Sequence, residues 1–260
     1  MTAGQPLAET APILPLELDR VSFEAGGRRL IEEITLTFEA GPRTLILGPN
    51  GASKSLLLRL CHGLLRPTTG RVIWRGPGAA LGPGGPTRRQ AMVFQRPVML
   101  RRSAAANVAY ALSVNGVRWK DRRALVGEAL ERVGLARLAE RPARVLSAGE
   151  QQRLALARAW ALQPEVLFLD EPTANLDPAA SHAVERIING FHQAGTKIVM
   201  TTHELGQARR LADEVLFLHW GRLVERSPAD SFFTQPRTPE ADAFVRGELL
   251  WPCAPPPEEA

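Results

Sequence analysis

Five short motifs occur in a fixed order along this chain, and the first of them leaves few folds open. Gly48-Pro49-Asn50-Gly51-Ala52-Ser53-Lys54-Ser55 lies between the apolar run Thr44–Leu47 and a Leu-rich segment from Lys54 to Leu65. A buried strand that runs through a Gly-rich loop into a helix makes an anion site. Backbone N–H groups and the positive end of the helix converge there. Read as a phosphate loop, Gly48 to Ser53 supply the cradle and Lys54 reaches the β- and γ-phosphates. The Ser55 hydroxyl ligates Mg²⁺. One position departs from the usual pattern, which has Gly where this chain has Ser53. If that backbone needs a positive φ, Ser costs about 1–2 kcal/mol there.

Val166-Leu167-Phe168-Leu169-Asp170-Glu171 is an apolar strand that ends in two acids. A buried parallel strand delivers its last side chains to the carboxyl edge of the sheet, where ligands bind. Asp170 is placed to hold Mg²⁺ through water, and Glu171 to polarise an attacking water as general base.

The rest of the chain reads as strands alternating with helices. Leu16–Phe23 and Ile34–Phe38 alternate as strands, with turns at Glu24–Arg29 and Gly41-Pro42. Val72–Trp74 and Met92–Phe94 are strands on either side of a Gly/Pro-rich loop, Gly76–Pro86. From Ser103 to Ala161 the pattern is helical, with breaks at Asn115-Gly116 and Arg141-Pro142. Val166–Leu169, a helix over Pro178–Gln193, Lys197–Thr201, a short helix, Val215–Leu218 and Leu223-Val224 follow. This order predicts a mostly parallel sheet covered on both faces. Residues 1–15 read as a flexible tail, 16–247 as the domain and 248–260 as a second tail.

Composition excludes several classes. At 260 residues and 45% apolar content the chain is globular. It has no apolar run long enough to span a membrane and no signal-peptide pattern at Met1–Pro15, so a cytoplasmic location is expected. Cys61 and Cys253 are too few for a disulfide framework. Cys61 reads as buried and Cys253 as exposed. The formal charge of +5 comes from arginine pairs scattered along the chain, which argues against one nucleic-acid patch. A mild attraction to anionic lipid is consistent with it.

Leu146-Ser147-Ala148-Gly149-Glu150-Gln151-Gln152-Arg153 precedes the acidic strand. Gln95 ends the strand Met92–Phe94, and His203 follows Ile198–Thr202. With the phosphate loop and Asp170-Glu171, this series resembles the nucleotide-binding subunit of ABC transporters from about Leu16 to Gly247. The resemblance implies an α/β fold: a P-loop NTPase core with a mostly parallel sheet, an antiparallel β N-terminal subdomain and an inserted helical subdomain at about 96–160. It implies ATP and Mg²⁺ as cofactors. Gln95 then senses metal and water, and His203 contacts the γ-phosphate and positions the water. Ser147 and Gly149 face the nucleotide of a second subunit. Ala148 and Glu150 stand where the family more often has Gly and Gln. Pro172–Asp177 resembles the loop that follows the acidic strand in this family.

The family usually carries an adenine-stacking aromatic about where Ala25 stands. Phe23 is near, but its phase in the strand points to the core. Losing the stack, worth about 1–3 kcal/mol, weakens nucleotide binding and relaxes selectivity against GTP. The implied partners are a second ATPase subunit, identical or paired, separate membrane permease chains and a periplasmic or surface substrate-binding protein. Arg96–Leu100 is then part of the groove for the permease. Separate chains favour import. Segments around Leu60–Leu65, Phe94–Ser103 and Gly247–Trp251 are most similar to ATPases of oxyanion importers, tungstate first, then molybdate and phosphate. The rival reading is a soluble ABC ATPase acting on nucleic acid or ribosomes. Such proteins usually have tandem modules or a coiled-coil insertion, and this chain has neither.

Overall fold

A computed structural model describes residues 11–79 and 89–248. Two sheets sandwich one helix. Strands β1 (Leu16–Ala25), β2 (Arg28–Phe38) and β4 (Thr69–Trp74) form an antiparallel sheet in the order β2-β1-β4. The second sheet has the order β5-β6-β7-β3-β8-β9. It contains β3 (Thr44–Leu47), β5 (Gln90–Val93), β6 (Val166–Asp170), β7 (Lys197–Thr201), β8 (Glu214–His219) and β9 (Arg222–Pro228). All its pairs are parallel except β8–β9.

Helix α1 (Lys54–His62) lies between the sheets. Its Leu57, Leu58, Leu60 and Cys61 pack with Leu18, Ile34, Ile46, Phe168 and Leu216. Along the strands of the second sheet the intervening side chains, Leu45, Leu167, Ile198 and Phe217, enter a second core on the opposite face. This is period-two alternation in a sheet covered on both sides. Every residue of β6 and β7 is buried, which explains their continuous apolar runs. Cys61 is fully buried, and burial pushes its thiol above the ordinary range.

Between β5 and β6 the chain leaves the sheet as three helices: α2 (Ala104–Val114), α3 (Trp119–Arg132) and α4 (Ala148–Trp160). After β6 come α5 (Pro178–Gln193) and, beyond β7, α6 (Leu205–Leu211). Among the described residues, no helix is long and apolar enough to cross a membrane.

Several expectations are corrected. Residues 11–15 are not a free tail. Ile13 and Leu14 are buried, and their N–H groups donate to the Glu165 carboxylate at 2.9 and 3.0 Å. Residues 1–10 of the expected tail lie outside the described residues, as do 249–260 with Cys253 and Trp251. Of the expected loop at 76–86, residues 76–79 turn against the strap at 12–13, and 80–86 lie outside the described residues. Helix α1 stops at His62 instead of Leu65, because Gly63 takes a left-handed φ of 83° and caps it. Strand β5 ends at Val93, one residue before Phe94. Helices α7 (Ala229–Thr234) and α8 (Pro239–Val245) were not anticipated. Thr238-Pro239 at the start of α8 is a legible signal for it: a Thr cap followed by Pro in the first turn.

Candidate active site

The phosphate loop connects β3 to α1. Gly48 has φ 148°, and a Cβ there would meet the carbonyl oxygen of Leu218 at 2.1 Å, so only Gly lets the loop leave the sheet. The Ala52 side chain is buried in the inter-sheet core, so this residue can serve a ligand only through its backbone. Asn50 and Gly51 are exposed at the tip, and Pro49 is half-buried. Ser53 adopts φ 68° and ψ 25°, the left-handed conformation anticipated for this departure. Its side chain makes no capping hydrogen bond.

Lys54 is 6% exposed, and its Nζ donates to the carbonyls of Gly48 at 2.7 Å and Pro49 at 3.0 Å. Burial lowers its pKa, while the charges of Glu171 and Asp170 act in the opposite direction. Ser55 Oγ donates to Asp170 Oδ1 at 2.6 Å. Thr201 Oγ1 donates to the same oxygen at 2.9 Å and accepts the Glu171 N–H at 3.0 Å. Thr201 was missed in the sequence. It stands in register with Asp170 across the β6–β7 ladder, a pairing that no local motif reveals.

Two of the expected residues converge on Glu171. Gln95 Nε2 donates to Glu171 Oε2 at 3.3 Å, and His203 Nδ1 lies 3.2 Å from the same oxygen. The Glu171 side chain is 16% exposed and that of His203 48%, so the carboxylate sits in a cleft with the imidazole at its mouth. Glu171 has φ 43°, a left-handed backbone for a non-Gly residue. Such conformations concentrate at sites where the surroundings over-determine them. Gln152 ties the helical insertion to this cleft, with Nε2 donating to the Phe94 carbonyl at 3.4 Å.

Ser147 and Gly149 stand apart, and no hydrogen bond among the described residues joins them to Lys54 or Glu171. Ser147 caps α4 in a reciprocal box. Its Oγ accepts the Glu150 N–H at 3.3 Å, and its own N–H donates to Glu150 Oε2 at 2.8 Å. That backbone hydrogen bond holds the Glu150 carboxyl below the ordinary range. A Cβ on Gly149 would lie 2.8 Å from Ala180 Cβ, so this glycine lets α4 approach α5. Ser147, Gly149, Asn175 and Asp177 line a groove of about 420 Å³. Ala25 is exposed at the β1–β2 turn, and Phe23 packs against the inter-sheet core.

The donor set suits a hard cation. The Ser55 hydroxyl and Asp170 carboxylate offer oxygen ligands at one point, as Mg²⁺ prefers. Among the described residues there is no cluster of three or more His, Cys, Asp or Glu that could hold a metal ion. Phosphate and water oxygens would therefore have to complete the shell.

Residues 31–174 match the family model for ABC transporters. The chain is 35% identical to the phosphate import ATP-binding protein PstB 2 of Natronomonas pharaonis, over 95% of this chain and 90% of that protein. It is 39% identical to the tungstate uptake ATP-binding protein TupC of Peptoclostridium acidaminophilum, over 80% and 94%. It is 38% identical to the methionine import ATP-binding protein MetN of Caulobacter vibrioides, over 86% and 70%. The fold superposes with a TM-score of 0.73 on a dimeric ATP-binding cassette in a post-hydrolysis state bound to ADP and Pi, at 25% identity over 82% of this chain and 98% of that one. With its phosphate loop, its paired acids and relatives matched along most of their length, the chain belongs to the ABC transporter family, as an ATP-binding subunit that hydrolyses ATP.

Proposed function

We propose that this subunit drives an importer by hydrolysing Mg·ATP with Glu171 as general base. The observation that carries the reading is the pair of contacts on Glu171 Oε2, from Gln95 at 3.3 Å and His203 at 3.2 Å. A base must be held within hydrogen-bond reach of the water it activates. Here one face of the carboxylate is held by Gln95, which leads into the helical insertion, and by His203, two residues past the end of β7. The backbone cradle from Gly48 to Ser53 holds the phosphates, and Lys54 exchanges its two carbonyl partners for phosphate oxygens. Ser55 and Asp170 hold Mg²⁺, which when bound neutralises charge on the phosphate oxygens.

The groove at Ser147 and Gly149 serves the nucleotide of a second subunit, so the working unit is a dimer, of identical or paired chains. Its support is the separation of this groove from the chain's own phosphate loop. Separate permease chains dock on the helical insertion beside Arg96–Leu100, where Val98 is 74% exposed. That contact holds the protein on the inner face of the membrane, opposite a substrate-binding protein. No nucleic acid is required. The proposed cargo is an oxyanion, tungstate foremost. The support is the similarity to the phosphate and tungstate proteins, and the methionine protein marks the competing class.

Two experiments test this. Asp170→Asn should keep ATP binding without metal yet require far more Mg²⁺ for turnover; an unchanged Mg²⁺ requirement would remove Asp170 from the metal site. Uptake of labelled tungstate, phosphate and methionine by cells lacking this chain assigns the cargo. A selective loss of methionine uptake would overturn the oxyanion reading.

A further inference from the structure

Behind the Glu171–His203 pair lies a buried polar cluster that the reaction so far leaves unused. Gln207 on α6 is 1% exposed, Thr173 3% and Glu185 on α5 5%. Gln207 Nε2 donates to Thr173 Oγ1 at 2.8 Å and to Glu185 Oε1 at 3.2 Å. The carboxylate fixes the amide orientation, since only the nitrogen can donate to it. Gln207 Oε1 is buried without a partner among the described residues. Arg210 closes the cluster from outside, with Nη2 2.6 Å from Glu185 Oε1 and Nε 3.1 Å from Oε2. His182 Nδ1 lies 3.5 Å from Glu185 Oε2. Burial raises the Glu185 pKa, but the hydrogen bonds from Arg210 and Gln207 outweigh it and leave the group below the ordinary carboxylate range.

The placement is specific. Thr173 follows Glu171 by two residues, and Gln207 follows His203 by four. The bond between them therefore spans the two segments that carry the base and its imidazole neighbour. Glu171 sits on a left-handed backbone that needs such external restraint. A buried amide with one unmet acceptor is costly. That cost is carried beside the two segments that hold the base and its imidazole neighbour.

We infer that Gln207 is a positioning residue for hydrolysis: its bond to Thr173, anchored by Glu185, holds the Glu171 segment against the His203 segment. The inference rests on the reading of Glu171 as base. It does not involve the nucleotide cradle, so it separates the hydrolytic step from ATP binding.

The test compares Gln207→Leu, Gln207→Glu and Glu171→Gln in the full chain, measuring kcat, ATP affinity and thermal unfolding. Displacing a catalytic group by about 1 Å costs on the order of 100-fold. Gln207→Leu should therefore lose roughly 10- to 100-fold in kcat with ATP affinity unchanged. Gln207→Glu places two carboxylates together, with Arg210 and His182 as the other charged groups nearby. Its protonated form can still donate to Glu185, so its kcat should fall with rising pH more steeply than wild type. A folded Gln207→Leu with wild-type kcat overturns the inference. So does a loss of kcat and affinity together, in step with a lowered Tm, which is the mark of a merely structural residue. If the Leu variant does not fold, a Gln207→Glu profile parallel to wild type overturns it equally. Normal turnover by Glu171→Gln would overturn the base assignment itself.

Discussion

Ser55 Oγ and Asp170 Oδ1 lie 2.6 Å apart although 115 residues separate them in the chain. The contact joins the first turn of α1 to the last residue of β6, and thereby the phosphate loop to the paired acids. Thr201 adds a second donor to the same oxygen at 2.9 Å. One carboxylate is thus oriented by two hydroxyls from different elements.

The strained loop gives the first prediction. Ser53 holds φ 68° without a side-chain cap bond in return. Ser53→Gly relieves a penalty of about 1–2 kcal/mol, offset in part by the greater freedom glycine has in the unfolded chain. Urea unfolding should show the variant equal to or slightly more stable than wild type. A clear destabilisation would mean that the Ser53 side chain makes an interaction worth more than the strain.

Base recognition gives the second. Ala25 is exposed at the β1–β2 turn, about where the resemblance to the family leads one to expect an aromatic. Ala25→Tyr should tighten ATP binding by up to about tenfold, or 1.4 kcal/mol, and raise the preference for ATP over GTP. Unchanged affinity and selectivity would mean that another side chain covers the base.

Much of this site was legible because its motifs are local. A Gly-rich loop between strand and helix, and two acids after an apolar run, declare their chemistry within eight residues or fewer. Ser53 was legible even in its conformation, since a residue in a place reserved for glycine must pay in φ. Thr201 and Gln207 were not legible. Each acts through sheet register or helix packing between segments far apart in sequence, and a lone Thr or Gln has no local pattern. Gln152 stood inside the motif Leu146–Arg153, but its bond to the Phe94 carbonyl 58 residues away did not show there. Gly149 was read for its ligand role, whereas the visible demand on it is the approach of Ala180. The strap at Ile13-Leu14 was missed because its apolar pair is flanked by prolines and shows no periodicity. Its anchor, Glu165, lies 152 residues from Ile13.

A buried lysine at the opposite end of β7 gives a pH prediction. Lys197 is 1% exposed, and its Nζ donates to Thr44 Oγ1 at 2.9 Å and to the Pro42 carbonyl. Burial lowers its pKa from 10.5 to about 8, with Glu214 opposing. The folded pKa lies below the unfolded one, so between these values the unfolded chain binds more protons and stability rises with pH. The stabilising contribution is complete above 10.5 and is lost as pH falls through about 8. Lys197→Met should remove this slope, worth on the order of 3 kcal/mol across the window. Parallel stability–pH curves for the two proteins would contradict the assignment.

The shared site gives a fourth prediction. Ser147→Arg should block closure and hydrolysis while leaving binding to the monomer's own phosphate loop intact, and Lys54→Ala should weaken nucleotide binding itself. Mixed dimers put both defects in one composite site and leave the other whole, so mixing should restore part of the ATPase activity. Normal hydrolysis by Ser147→Arg alone would end the reading in which one subunit completes the other.

The most direct test of the whole account is single-turnover hydrolysis by Glu171→Gln with ATP and Mg²⁺ bound. The substitution keeps the side-chain shape and the cradle from Gly48 to Ser55, and removes only the base. ATP should bind as in wild type, a nucleotide-trapped dimer should accumulate, and hydrolysis should fall by 100-fold or more, at the lower end of the range of about 10²–10⁴ for a lost general base. Hydrolysis within a few-fold of wild type, with ATP bound, would contradict the central claim that Glu171, held by Gln95 and His203, activates the water.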